Sequence, residues 1–396
     1  MGRRADVLVE SCVAAHWNGA GTNHLVQTPT GVLYAVSIDT ASDVVFRKSS
    51  DGGLTWSDAV VVFAGSATNL AVWYDRWSNI SAGLIHCAYS ESATDDTLYR
   101  TINTESSDAL STQTSIFAGG STAAGGHLSI TRAVGGNVYC KTVIDAGAEG
   151  GFYRLPNANV PSGAWDAART VDETIATLDQ MWLLPDFDAA DNQDIMALFQ
   201  DASVTELSRK LYDDSGNSWS ETSISASITE LSTATAFANV SVAPDIANTR
   251  HVVIAWNATD AANQDLLCWT VDSGAITAKT DVVTNATDDC GLCAISIDLQ
   301  TGYWWAFYGG PSSGSSTWNT AMHLYCKVST DGGSTWGPET LVDTGSAFTL
   351  RMLYTVPRLY KGPPVAAWIA DATNTDDLRI SVDRTVPHAA ALLGVI

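Results

Sequence analysis

Two octapeptides constrain this chain more than any other feature: Ser49-Ser-Asp-Gly-Gly-Leu-Thr-Trp56 and Ser329-Thr-Asp-Gly-Gly-Ser-Thr-Trp336. Both read Ser-x-Asp-x-Gly-x-Thr-Trp, and both follow an apolar run that carries a basic residue, Val-Val-Phe-Arg-Lys and Leu-Tyr-Cys-Lys-Val. The pattern suits a hairpin turn, in which Gly53 and Gly333 take φ > 0 while Asp51 and Asp331 bond the turn amides. Trp56 and Trp336 are expected to be buried, packing each turn against its sheet. A motif that returns within one chain marks a repeat, and repeats decide the architecture before domain-size arguments apply.

Weaker copies fill the interval between the two. Asp213-Asp-Ser-Gly-Asn-Ser-Trp219 keeps Asp214, Gly216 and Trp219, Val271-Asp-Ser-Gly-Ala-Ile-Thr277 keeps Asp272 and Gly274, and Pro161-Ser-Gly-Ala-Trp165 keeps only Trp165. Turns placed at 51, about 103, about 157, 214, 272, 331 and 383 are separated by roughly 50 to 60 residues, so 396 residues hold seven units. A period of that length with four strands per unit is a propeller blade. The strands are apolar on both faces, as in Val-Val-Ile-Ala-Trp and Trp-Trp-Ala-Phe-Tyr, which blades stacked face to face require. The last blade offers Leu350–Val356, Val365–Ala370 and Leu378–Asp383 but no clear fourth strand, while Asp6–Glu10 has nothing nearby to pair with. Placing Asp6–Glu10 in the last blade closes the ring and covers an exposed edge. The expectation is therefore an all-β, seven-bladed propeller forming one domain over 1–396, with a C-terminal tail from about 386.

The octapeptides are Asp-boxes, and through them the chain resembles the Asp-box (BNR-repeat) β-propellers of the sialidase-like superfamily. In that family the boxes lie between the third and fourth strands, on the face away from the ligand. Sialidases bind a sugar carboxylate with three arginines, the first from a Phe/Tyr-Arg-Ile/Leu-Pro motif on the first inner strand, and use a Tyr–Glu pair and an Asp acid. Tyr153-Arg-Leu-Pro156 matches the tetrapeptide, but it falls on a third strand just before a degenerate box, and His24-Leu-Val-Gln-Thr-Pro29 has no arginine. Sialidases are also six-bladed. The resemblance thus implies the fold and argues against sialidase activity.

Acidic residues outnumber basic ones by 43 to 20, a net charge of −23. So negative a surface repels phosphate backbones and excludes a basic nucleic-acid footprint. No apolar run reaches 18 residues, so no membrane-inserting segment is expected. Met-Gly-Arg-Arg-Ala-Asp-Val-Leu-Val lacks the apolar core of a signal peptide, which points to cytoplasmic synthesis and to a role in a virion or outside the cell after lysis. Of seven cysteines, Cys290 and Cys293 have zinc-like spacing without a second pair, so no metal is expected there.

Acids recur after second strands: Asp39, Glu91, Asp145, Asp201 and Asp371, each with a second acid four or five residues on. They read as turn formers, or as a crown of carboxylates opposite the boxes that holds Ca²⁺ or a basic partner. Inner strands add candidate channel groups: Tyr74, Asp75, Arg76, His127, Arg132, Trp182, Asp186, Arg351 and Tyr354. Some seven-bladed propellers are polysaccharide lyases that use His, Tyr and Arg. Two functions follow. One is a non-catalytic structural or recognition module of a larger assembly, such as a bacteriophage virion protein facing host glycans, with other subunits as partners and no required cofactor. The other is a glycoside hydrolase or polysaccharide lyase working at the channel mouth. The tail Val386–Ile396 is expected to pack on its own ring or, by preference, against another subunit, because its apolar run would otherwise face water.

Overall fold

In a computed structural model the described residues are 7–12, 24–118, 128–142, 151–171, 180–201, 206–226, 228, 240–257, 264–286, 290–311, 322–343, 349–362, 364–371 and 376–382. They form seven separate, mainly four-stranded antiparallel sheets arranged as a ring. Blade one runs Leu25–Gln27, Leu33–Ile38, Val44–Ser49 and Val60–Phe63 from the axis outward. Blade four, the most regular, runs Gln180–Pro185, Ile195–Asp201, Glu206–Asp213 and Ser218–Ser225. Each blade is an up-and-down meander, so the ring has two unlike faces. Turns between strands one and two, and between three and four, lie on one face, here the turn face. Loops between strands two and three, and the links between blades, lie on the other, the loop face.

The ring closes with the N-terminal strand. Val7–Cys12 pairs antiparallel with Asp376–Val382, outside Val365–Asp371 and Thr349–Thr355, giving blade seven its fourth strand. Glu10 on that strand accepts Arg47 Nε of blade one at 2.7 Å, and Gln27 of blade one bonds the backbone of Tyr360 and Lys361 of blade seven. The closing seam is therefore held by side chains at both ends as well as by a ladder.

Two blades depart from expectation. In blade three the fourth strand is reduced to a bridge between Phe152 and Arg169. Side chains replace the ladder there: Arg169 reaches Tyr212 Oη and the Asp214 carboxylate of blade four. In blade five the outer strand is split into Ile276–Ala278 and Val283–Ala286, both on Gln264–Val271.

Strand alternation gives each blade two apolar faces. Blade four turns Met181, Leu183, Ala197 and Phe199 toward Tyr139 and Phe152 of blade three. Its other face, with Trp182, Leu184 and Leu198, meets Val240, Val242, Val253 and Ala255 of blade five. All seven cysteines are buried and none forms a disulfide. Burial pushes the Cys87 and Cys268 thiols up to about 12, so these behave as apolar packing groups.

Candidate functional site

On the turn face the two octapeptides build the same turn. Asp51 accepts hydrogen bonds from Leu54 N and Thr55 N at 2.9 Å, from Ser49 Oγ at 2.8 Å and from Thr55 Oγ1 at 2.7 Å. Asp331 is bonded by Ser329 Oγ, Thr335 N and Thr335 Oγ1 at 2.9, 2.8 and 2.6 Å. Slight desolvation opposes ionisation of Asp51, but these bonds hold its carboxylate down to about 2. Gly53 and Gly333 have φ of 91° and 82°, and their amides donate to the serine hydroxyls at 2.8 Å.

Two expectations about these turns need correction. Trp56 and Trp336 are half-buried, because a rim turn is covered by the ring on one side only. Their indoles serve as donors: Trp56 Nε1 bonds Gly53 O within its own turn, whereas Trp336 Nε1 bonds Thr280 O of blade five at 2.9 Å. Trp219 bonds Thr170 O of blade three in the same way, and Trp165 reaches Thr114 Oγ1 of blade two. In blade four the turn acid is Asp213, which accepts Gly216 N at 2.7 Å. Asp214 is instead the anchor for Arg154 and Arg169, at 2.7 and 3.0 Å. The shorter turn, with Gly216 three residues after the acid, shifts that role by one position.

At the turn-face end of the channel the inner strands finish in buried acids. Asp75, Asp186, Asp245 and Asp298 each bond the turn that follows them, through Leu84 N, Asp188 N, Asn248 Nδ2 and Gln300 N respectively. Asp75, 0% exposed, also meets Arg132 Nη1 at 2.8 Å and His86 Nε2 at 3.7 Å. His86 Nδ1 lies 2.7 Å from Tyr99 Oη, and desolvation lowers the imidazole pKa. Asp75 and Arg132 are thus brought together, but inside the seam between blades two and three. Arg76 pairs with Glu105 near the surface. Trp182 is buried in the seam between blades four and five, and Tyr354 lies beside His24, its ring tilted 47° to the imidazole, between blades seven and one. Arg351 lies on an inner strand; His127 lies outside the described residues.

The same end of the channel is crossed by a segment of blade seven. After Thr355 the chain bonds blade six through Ile297 N to Pro357 O and Leu299 N to Leu359 O, both 2.9 Å. It bonds blade one through Gln27, and Arg358 Nη1 reaches Arg76 O of blade two at 3.4 Å. Blades two and six are separated by two others, so 356–361 spans the mouth.

On the loop face Asp39 and Glu91 act as turn formers. Asp39 accepts Ala41 N and Asp43 N at 2.9 and 3.0 Å. Buried Glu91 accepts Ala93 N and Thr94 N at 2.9 and 3.0 Å. Asp201 and Asp371 end second strands on this face, while Asp145 lies outside the described residues. Among the described residues no group of three His, Cys, Asp or Glu is placed to hold a metal. A different set of groups stands toward this face, between blades four and five. Gln200 has both amide atoms buried without a hydrogen-bond partner, and so are Trp182 Nε1 and Asn257 Oδ1. Alternation places all three on the facing surfaces of the two blades. Buried polar atoms left open are uncommon and call for a water or a ligand oxygen.

Two features noted at single positions in the sequence are in fact repeats. A base stands four residues before the turn acid or its equivalent: Arg47, Arg209, Lys327 and Arg379, with Arg100 and Arg154 at the matching strand position. Arg100 bonds Val62 O of blade one, Arg209 bonds Asp272 O of blade five and Lys327 bonds Val282 O of blade five, so these residues stitch neighbouring blades. The strand-one acid is the other repeat, visible as Tyr74-Asp75, Pro185-Asp186, Pro244-Asp245 and Ile297-Asp298.

No family model matches the chain, and no curated protein matches its sequence. Solved structures share the fold. A polysaccharide lyase of family PL25, an ulvan lyase, is 8% identical with a TM-score of 0.55, over 95% of this chain and 96% of that one. The same lyase bound to a GlcA–Rha3S saccharide is 8% identical with a TM-score of 0.51, over 93% and 95%. A triple arginine-to-alanine mutant of AofleA from Arthrobotrys oligospora is 10% identical with a TM-score of 0.50, over 84% and 90%. The class defined by fold is the seven-bladed β-propeller, with full-length likeness to a lyase of that shape. No helix among the described residues is long and apolar enough to cross a membrane.

Proposed function

We propose that this protein is a carbohydrate-recognition propeller of the Asp-box type, a non-catalytic module of a larger assembly that presents its loop face to surface glycans. A virion facing host glycans is the setting that fits this reading, with other subunits as its partners. The observation that supports it is the lie of 356–361 over the turn-face end of the axis, bonded to blades six, one and two, which favours the loop face for a ligand. The titratable groups that catalysis would draw on support it, because Asp75, Arg132 and His86 are engaged with one another in a buried seam. Beneath the loop face, the buried polar atoms of Gln200, Asn257 and Trp182 left without partners form a neutral layer that backs the surface a glycan would meet. Binding of the intact protein to an array of bacterial surface polysaccharides tests the reading. Wild type should bind a hydroxyl-rich glycan, and binding to no glycan on the array contradicts the reading.

The second reading is a polysaccharide lyase, favoured by the full-length likeness to the ulvan lyase. Its signature is new ultraviolet absorbance from an unsaturated uronate when the protein meets a uronate-containing polysaccharide.

A further inference from the structure

Three acids at the turn-face mouth of the channel are each matched by a base. Asp75 faces Arg132 at 2.8 Å, Asp245 faces Arg250 at 3.0 Å, and Glu105 pairs with Arg76. Arg358 has no such partner. It lies on 356–361, where it pairs in parallel with Ile297 of blade six, and its one hydrogen bond runs from Nη1 to Arg76 O at 3.4 Å. Among the described side chains every other arginine faces a carboxylate or makes two hydrogen bonds, as Arg100 does to Ser111 O and Val62 O. Desolvation lowers the Arg358 pKa, and Tyr360 and Asp245 offset this only in part. A guanidinium stays charged at any ordinary pH, and a half-buried charge without a counterion is costly.

The groups beside Arg358 are donors. Its Nη2 makes no hydrogen bond among the described residues and is not buried. The Tyr360 ring lies under the guanidinium, 5.9 Å from Cζ to the ring centroid. Arg76 supplies a second guanidinium, with Nη2 on Glu105 and Nη1 neither bonded nor buried. The Tyr360 hydroxyl is within electrostatic reach of both arginines. Gln27 fixes the segment by accepting Tyr360 N and Lys361 N at 2.6 and 2.9 Å. Two forked cations and a phenol so close together match a carboxylate, sulfate or phosphate. Exposed charges farther away than about 8 Å are screened at physiological salt, so the net −23 of the chain does not cancel this local excess. We propose that Arg358 and Arg76 form a binding site for a small oxyanion at the turn-face end of the axis, with Tyr360 Oη as a third donor. The site is separate from the loop face and does not depend on what that face binds.

Calorimetric titration of the full chain with sulfate, phosphate and acetate, at ionic strength held constant with sodium chloride, tests it. The expected result is saturable binding of at least one of the three. Arg358→Gln should weaken it about tenfold, as loss of a charged hydrogen-bond donor predicts, and Arg76→Gln should weaken it in the same direction. Lys48→Gln removes an equal charge from the third strand of blade one and should leave binding unchanged. Circular dichroism checks that each variant is folded. If Arg358→Gln is not, Arg358→Lys replaces it, since it keeps the charge, loses the fork and should still weaken binding. No saturable binding of any of the three anions to wild type overturns the proposal. So does binding that survives the change at Arg358, or that falls equally in Lys48→Gln, since the anion then answers to net charge rather than to a site.

Discussion

Replacing Arg132 with methionine removes one side of a buried ion pair and leaves the other in place. Asp75 is fully buried, and without the guanidinium at 2.8 Å it keeps only Leu84 N at 3.1 Å and the neutral His86 imidazole at 3.7 Å. Arg132 also holds Gly136 O and Asn157 Oδ1, both at 3.0 Å, so its loss frees two further acceptors. Removing one partner of a buried pair typically costs about 3–5 kcal/mol, and the seam makes Arg132→Met a member of that class. The loss should appear as a lower urea midpoint at pH 7. It should shrink at pH 5, because an unpaired Asp75 raises the proton affinity of His86. Asp75→Asn combined with Arg132→Met should cost less than the sum of the two single changes. If Arg132→Met stays within about 1 kcal/mol of wild type, the seam assignment is wrong and Arg132 is available for other work.

His24 and His251 are buried, and desolvation lowers both to about 4 despite hydrogen bonds to Val36 O and Pro185 O. Unfolded imidazoles take up protons below about 6.5, so their contribution is complete above that pH and is lost as pH falls from 6.5 toward 4. Urea midpoints measured from pH 7.5 to 4.5 should fall across this window, and a flat profile would contradict it. Gly333→Ala should cost more than Gly332→Ala, since its Cβ would stand 2.5 Å from Trp304 Cζ3 against 3.9 Å from Cζ2 at Gly332. Both share the left-handed penalty of about 1–2 kcal/mol, so equal thermal shifts would refute the packing argument. Arg154→Ala should lower stability by loosening blades three and four through Asp166 and Asp214, and should change no sialic-acid release from a reporter substrate.

The ring was legible because two strong signals agreed. The Asp51 and Asp331 turns set a period, and Asp6–Glu10 had no partner except the last blade; Val7–Cys12 fills that place. Regular strands gave boundaries to within a residue or two, as with Val365–Ala370 against the observed Val365–Asp371. Blade three was misjudged because its outer segment is held by Asp166 and Arg169 side chains, which a strand pattern does not reveal. Asp213 and Asp214 were interchanged because adjacent acids look alike until turn length is known. The channel set was harder to read. Inner-strand residues alternate between the two adjacent seams, so Asp75, Arg132 and Trp182 look axial in a string of letters yet are buried between blades. The loop-face acids could be recognised as turn formers by spacing alone, and Asp39 and Glu91 are. The polar groups at Gln200 and Asn257 carry no local signature, because only the stacking of blade four on blade five brings them together.

Recognition without chemistry is the central claim, and the length distribution of a bound polysaccharide tests it most directly. A glycan captured by the full-length protein should be recovered after prolonged incubation with its chain-length profile unchanged and no unsaturated uronate ends. A profile that shifts to shorter chains, with the shift abolished by His86→Ala or Arg132→Ala variants shown to be folded, would contradict the account and make the propeller an enzyme.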